Sequence, residues 1–191
     1  MSQNVSTYDQ PREPEISWSA VAAGAVVSLA TSIVLTLLAA GFGWTLAFGG
    51  LASRSYLAAF TPEFGAGAVA VQVVAAAFGG YVAGRLRHAW RYAHVDEAHF
   101  RDTAHGLLAW ALSTVVAIVL AVALLVPYAE QIDPASAAVA AGSVDPVRAA
   151  NIAAQASLFT AIGMMLSAFV AAVAARIGGL RNEEMQAKAA S

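Results

Sequence analysis

All four histidines of the chain fall within one stretch, RHAWRYAHVDEAHFRDTAHG, from Arg87 to Gly106. With Asp96, Glu97 and Asp102 interleaved, the chemistry to test is metal ligation or acid–base work. His94 and His99 bracket Glu97, as in zinc proteases, but those motifs are H-E-x-x-H or H-x-x-E-H, with the histidines four apart on one helix face. Here the spacing is five, which on a helix sets the two rings roughly 140° apart. Asp96, His99, Asp102 and His105 recur every third residue, and an i, i+3 pair can share a metal, although di-iron bundles draw further carboxylates from their other helices. The apolar runs of this chain supply none. His99, Asp102 and His105 are the candidate metal ligands, set against a plainer reading in which the stretch is a connector leading into the wet first turns of a helix. In that reading Asp96 caps the helix, Glu97 and Arg101 form an i, i+4 pair, and Trp90 and Tyr92 suit a membrane headgroup level. His105, one turn inside an apolar run, is expected to hydrogen-bond between helices, with Asp102 as its local partner.

The rest of the chain offers little other chemistry. There is no G-K-[ST] phosphate loop, no G-x-S-x-G nucleophile and no dinucleotide fingerprint, so no catalytic residue and no cofactor is expected. Cysteine is absent, which removes disulfides, thiol nucleophiles and thiolate metal sites. A net charge of −2 gives no basic face for nucleic acid.

The elements that must carry the histidine stretch are read from charge spacing. Hydrophobic residues make up 59% of the chain and charged residues 12%, half the usual share of a soluble domain, and mean hydropathy is +0.66. No Asp, Glu, Lys or Arg falls between Glu15 and Arg54, Glu63 and Arg85, Asp102 and Glu130, or Arg148 and Arg176. Each interval is long enough to span a bilayer core of about 20 residues. The expectation is an all-α integral membrane four-helix bundle, with spans over residues 18–41, 64–84, 103–128 and 153–177. Thr61-Pro62-Glu63 and Asp145-Pro146 place an oxygen-bearing cap before a first-turn proline, the signature of a helix start. Residues 133–142 read as a short surface helix, and residues 42–50 as either a frayed end or a shallow re-entrant piece.

Lysine and arginine bias then orients the bundle. Arg85, Arg87, Arg91 and Arg101 crowd the second loop, and Arg176, Arg181 and Lys188 the C-terminal end, against Arg54 and Arg148 in the other loops. Both termini are expected on the cytoplasmic side. This divides the chain into a disordered cytoplasmic tail (1–15), a four-helix transmembrane domain (16–181) and a second cytoplasmic tail (182–191). The N-terminal segment lacks the pattern of a removable signal peptide.

Two patterns speak to packing. AFGGYVAGRL at 77–86 and AFVAAVAARI at 168–177 share Ala, Phe, Val, Ala and Arg in register, 91 residues apart. Two parallel-repeat helical hairpins would produce this echo, as would chance similarity between alanine-rich helices. Small residues also recur every fourth position in each span. The rows include Gly24 with Ser28, Gly80 with Gly84, Ala109 with Ser113, and Gly163 with Ser167 and Ala171. Rows of this kind mark close helix–helix contact in lipid, and Gly24, Gly80, Gly84 and Gly163 are the expected packing positions.

SWSAVAAGAVV, GGYVAGRL and DTAHGLLAWAL resemble three signatures of an uncharacterised family of small bacterial multi-pass membrane proteins, some labelled PhnA-like in genomes. The resemblance covers most of residues 17–120 and implies topology and membrane location only. The soluble protein behind that label resembles a cysteine-bearing zinc ribbon, and this chain has no cysteine. Three functions are carried forward. The preferred one is a non-enzymatic structural or partner-binding bundle in the bacterial inner membrane, with lipid and a second copy or another membrane protein as partners. The alternatives are an oligomeric pore or facilitator, lined by Gln72, Asn151, Gln155 and the Ser/Thr rows, and a metal-binding site at the cytoplasmic histidine stretch.

Overall fold

A computed structural model describes residues 16–39, 41, 62–87, 95–125 and 145–189. It contains four helices and, among the described residues, no strand: α1 (Trp18–Ala39), α2 (Pro62–Leu86), α3 (Val95–Leu125) and α4 (Pro146–Ala189). All four are long and apolar enough to cross a membrane. At about 1.5 Å per residue the shortest reaches roughly 33 Å, slightly more than a hydrocarbon core.

Helix starts follow local chemistry. α2 and α4 begin on their prolines, as the capping pattern predicts, and Asp145 Oδ1 accepts from Val147 N at 3.0 Å. Ser17 opens α1, its carbonyl accepting the first helical bond from Val21 N at 3.1 Å. α3 is described from Val95, eight residues before the expected start of its apolar span, so the stretch around Glu97 and Arg101 is helical. α4 also runs past the expected end of its span, and residues 182–189, expected as tail, continue the helix. The proposed surface helix at 133–142, residues 42–50, the N-terminal tail, His88 and His94 all lie outside the described residues.

The interior is made of small side chains. Ala20, Ala25, Ala75, Ala76, Ala83, Ala109, Ala171 and Ala175 are buried, whereas Val26, Leu37, Phe78, Ile118, Met165 and Phe169 are exposed. Water would drive the large groups inward. In lipid, tails solvate them equally well and association depends on close backbone contact. α2 and α3 form the centre, each packed against the other three helices, while α1 and α4 lie on opposite sides of that pair.

Two approaches require glycine. A Cβ added to Gly24 would stand 2.8 Å from Ala83 Cβ and 3.1 Å from Ala109 Cβ, where α1, α2 and α3 converge. On α2, a Cβ on Gly80 would lie 2.8 Å from Ala171 Cα, and one on Gly84 would lie 2.8 Å from Ala175 Cα. These partners are separated by the 91-residue offset of the sequence echo. Equivalent positions of the two echoed segments therefore meet face to face, as in a parallel helix pair about a local two-fold axis. Along α4 the small row is buried from Gly163 through Gly179, but on α1 and α3 burial fades beyond Ser28 and Ser113, where Thr36 and Ala117 are exposed. The helices are thus tightest at the end that carries Arg87 and looser toward the other.

Candidate functional site

The tight end holds the buried ionisable groups of the described residues: Arg87, Asp102 and His105. Arg87 follows the last turn of α2. Its Nη2 donates to Asp102 Oδ2 at 2.9 Å and to Glu183 Oε1 at 2.8 Å, and its Nε faces Asp102 Oδ1. This is a two-pronged guanidinium–carboxylate match, the arrangement that makes arginine suited to carboxylate recognition. Both the Arg87 and Asp102 side chains are shut off from solvent, at 0% and 1% exposure, while Glu183 is 43% exposed at the rim. Asn182 Nδ2 closes the assembly by donating to the Arg87 carbonyl at 2.9 Å. Space for it comes from Gly179, where an added Cβ would lie 2.7 Å from Asp102 Cγ and 3.0 Å from Arg87 Nη2. One arginine therefore ties α2 to α3 through Asp102 and to α4 through Glu183.

His105 lies one turn deeper on α3. Ser17 N donates to its Nε2 at 3.0 Å, so that nitrogen presents a lone pair, and Nδ1 carries the proton and donates to the Arg101 carbonyl at 2.7 Å. The ring thereby fixes the start of α1 against α3, satisfying a backbone N–H that helix geometry leaves without an internal partner. The expected link between helices through His105 is present, but the expected partner is not: Asp102 turns to Arg87 and takes no part in it. Gly106 makes the neighbouring approach, where an added Cβ would stand 2.7 Å from Ala175 Cβ on α4.

Of the three candidate metal ligands, Asp102 faces an arginine, His105 has a partner on each nitrogen, and His99 is half-buried on the first turns of α3. Among the described residues no three histidine, cysteine or carboxylate groups come together. Protein purified without chelator is therefore expected to hold no stoichiometric transition metal by elemental analysis. One metal per chain, lost on His99→Ala, would reinstate the ligand set. The surface pair Glu97–Arg101 forms as expected.

Arg87, Glu183, Asn182 and Ser17 are the site residues that the sequence reading missed. In sequence Arg87 carries only the signature of a topology charge and Glu183 that of a tail. The usable signal was Gly178-Gly179 three residues before Asn182, a pair that marks a close approach when it lies inside a helix. Higher in the bundle, Trp110 Nε1 donates to Ser167 Oγ at 2.9 Å, joining α3 to α4. Of the polar residues expected along a passage, Gln72 is half-buried between helices, whereas Asn151 and Gln155 are exposed on α4. No family model, curated protein or solved structure matches the chain.

Proposed function

We propose that the protein is a non-enzymatic multi-pass bundle of the bacterial inner membrane, serving as a structural or partner-binding element, with both termini cytoplasmic. The observation that carries this reading is how the reactive side chains are engaged. Arg87, Asp102 and His105 are the groups best able to do chemistry, and each is directed to joining one helix to another. Large apolar side chains on the outer faces of all four helices support a lipid environment, and the arginine-rich end supports the orientation. The resemblance to the small bacterial multi-pass family fits the same placement.

A pore or facilitator is the competing proposal. Within one chain the glycine contacts and the Arg87 assembly obstruct a path along the axis, so a passage would have to form between copies. Two measurements test the preferred reading. Liposomes carrying the protein should shrink and swell in glycerol or urea gradients no faster than empty ones; clear acceleration would favour the pore. For orientation, Ala187→Cys should resist an impermeant thiol reagent in intact cells and Val147→Cys should react. These positions are exposed at opposite ends of α4, and the chain has no other cysteine. The reverse labelling would invert the topology.

A further inference from the structure

Above the tight neck, the four helices part around an open-sided cleft of about 340 Å³, with Ala68, Ala117, Ile118 and Thr160 on its exposed margin. Gln72, which lines it, lies roughly 15 Å from the start of α2 and 21 Å from its end, close to mid-span. Four alanines, Leu29, Val71, Ile118 and Met164 make most of its surface apolar, and the lining contains no charged side chain. Such a lining cannot replace the hydration shell of an ion.

Its polar groups have a definite bias. Ser32, Ser113, Thr114 and Thr160 donate their hydroxyl protons to the carbonyls of Leu29, Trp110, Trp110 and Ala156, at 2.8 to 2.9 Å. Toward the cleft these four can therefore only accept, while Ser28, which also lines it, makes no hydrogen bond with the described residues and can donate as well. Gln72 makes no hydrogen bond with the described residues, so its amide offers both donors and an acceptor. Room has been cleared for that amide on the facing helix: a Cβ on Gly163 would lie 2.6 Å from Gln72 Oε1. The amide is half-buried and opens on the cleft, which can therefore admit a group that both donates and accepts.

We infer that this cleft binds an uncharged, membrane-soluble alcohol, with its hydroxyl on Gln72 and its apolar body along the apolar walls beside Trp110. A carbonyl or ether could use the Gln72 and Ser28 donors but would leave the more numerous acceptors of Ser32, Ser113, Thr114 and Thr160 unmet. A hydroxyl answers both, accepting from Gln72 and donating to Gln72 Oε1 or to a neighbouring Ser or Thr oxygen. The volume holds about ten groups of methylene or water size at about 30 Å³ each. Water alone suits it poorly, because each buried water needs two to four polar partners and most of this wall has none.

The test uses Trp110 as the reporter. In a full-length chain with Trp18, Trp44 and Trp90 changed to phenylalanine, it is the sole tryptophan. The detergent-solubilised protein is titrated with a bromine-terminated ten-carbon alcohol, its methyl ether and the matched bromoalkane, and fluorescence quenching is followed. The alcohol should quench saturably at about one tenth of the ether's concentration, the effect of one well-made hydrogen bond. Gln72→Leu in the same background should bring the alcohol to the level of the ether. Equal, unsaturating quenching by all three probes would mean adventitious partitioning only and would overturn the inference. So would an alcohol preference that survives in a folded Gln72→Leu variant. If Gln72→Leu fails to fold, the alcohol–ether comparison in the parent chain decides alone.

Discussion

Replacing Asp102 by alanine is expected to lower stability by about 3 to 5 kcal/mol, the range for removing one partner of a buried ion pair. The guanidinium of Arg87 would stay enclosed while losing the carboxylate that meets both its Nε and Nη2, and Glu183, 43% exposed, touches only Nη2. Asp102→Asn should cost less, because the amide oxygen can still accept from the guanidinium. The double variant Arg87→Met with Asp102→Leu should recover most of the loss, since a well-packed apolar pair avoids desolvating two charges. Thermal unfolding in one detergent measures all three. A cost below about 1 kcal/mol for Asp102→Ala would be the value of a surface pair and would show that the assembly does not hold the helices. A double variant as unstable as the single one would show that the charges matter beyond filling space.

The Arg87 assembly also shows where sequence reading stops. Elements were legible because their signals are local. Proline at 62 and 146 starts a helix whatever surrounds it, Glu97 and Arg101 meet because they are one turn apart, and charge-free intervals mark spans. Asp102 and Arg87 are 15 positions apart across a connector, and Glu183 is a further 81 along. Nothing in spacing pairs them, and in sequence each has the composition of a wet loop or tail. The end of α4 is hidden for a related reason. Charge spacing marks where an apolar span stops, not where a helix stops, and α4 continues for ten residues beyond Gly178-Gly179. The glycines serve for clearance, Gly179 beside Asp102 and Gly178 beside the start of Arg85, where an added Cβ would stand 3.0 Å from the Arg85 nitrogen. That role becomes visible only once α2 and α4 are placed side by side.

Isoleucine at Gly80 or Gly84 should produce the second large effect. In both cases the obstruction is backbone: an added Cβ would lie 2.8 Å from the Cα of Ala171 or Ala175. A flexible side chain could turn away, but a helix backbone can yield only if the whole helix moves. Each substitution should therefore cost at least the upper part of the usual 1 to 3 kcal/mol for overpacking, and even Gly80→Ala should be destabilising. Two controls separate this from a general intolerance of bulk. Val73→Ile, at a half-exposed position on the same helix, should change stability by less than about 1 kcal/mol. Gly163→Ala should also be milder than Gly80→Ala, because the atoms it meets belong to the side chains of Gln72 and Val69, which can rotate. Thermal unfolding in detergent ranks the five variants, and disulfide cross-linking between single cysteines on α2 and α4 should slow in the Gly80 and Gly84 variants alone. If Gly84→Ile proved as stable as Val73→Ile, α2 and α4 could not be in backbone contact. The echo 91 residues apart would then lose its structural expression, because Gly80 with Ala171 and Gly84 with Ala175 are the contacts through which the two segments face each other.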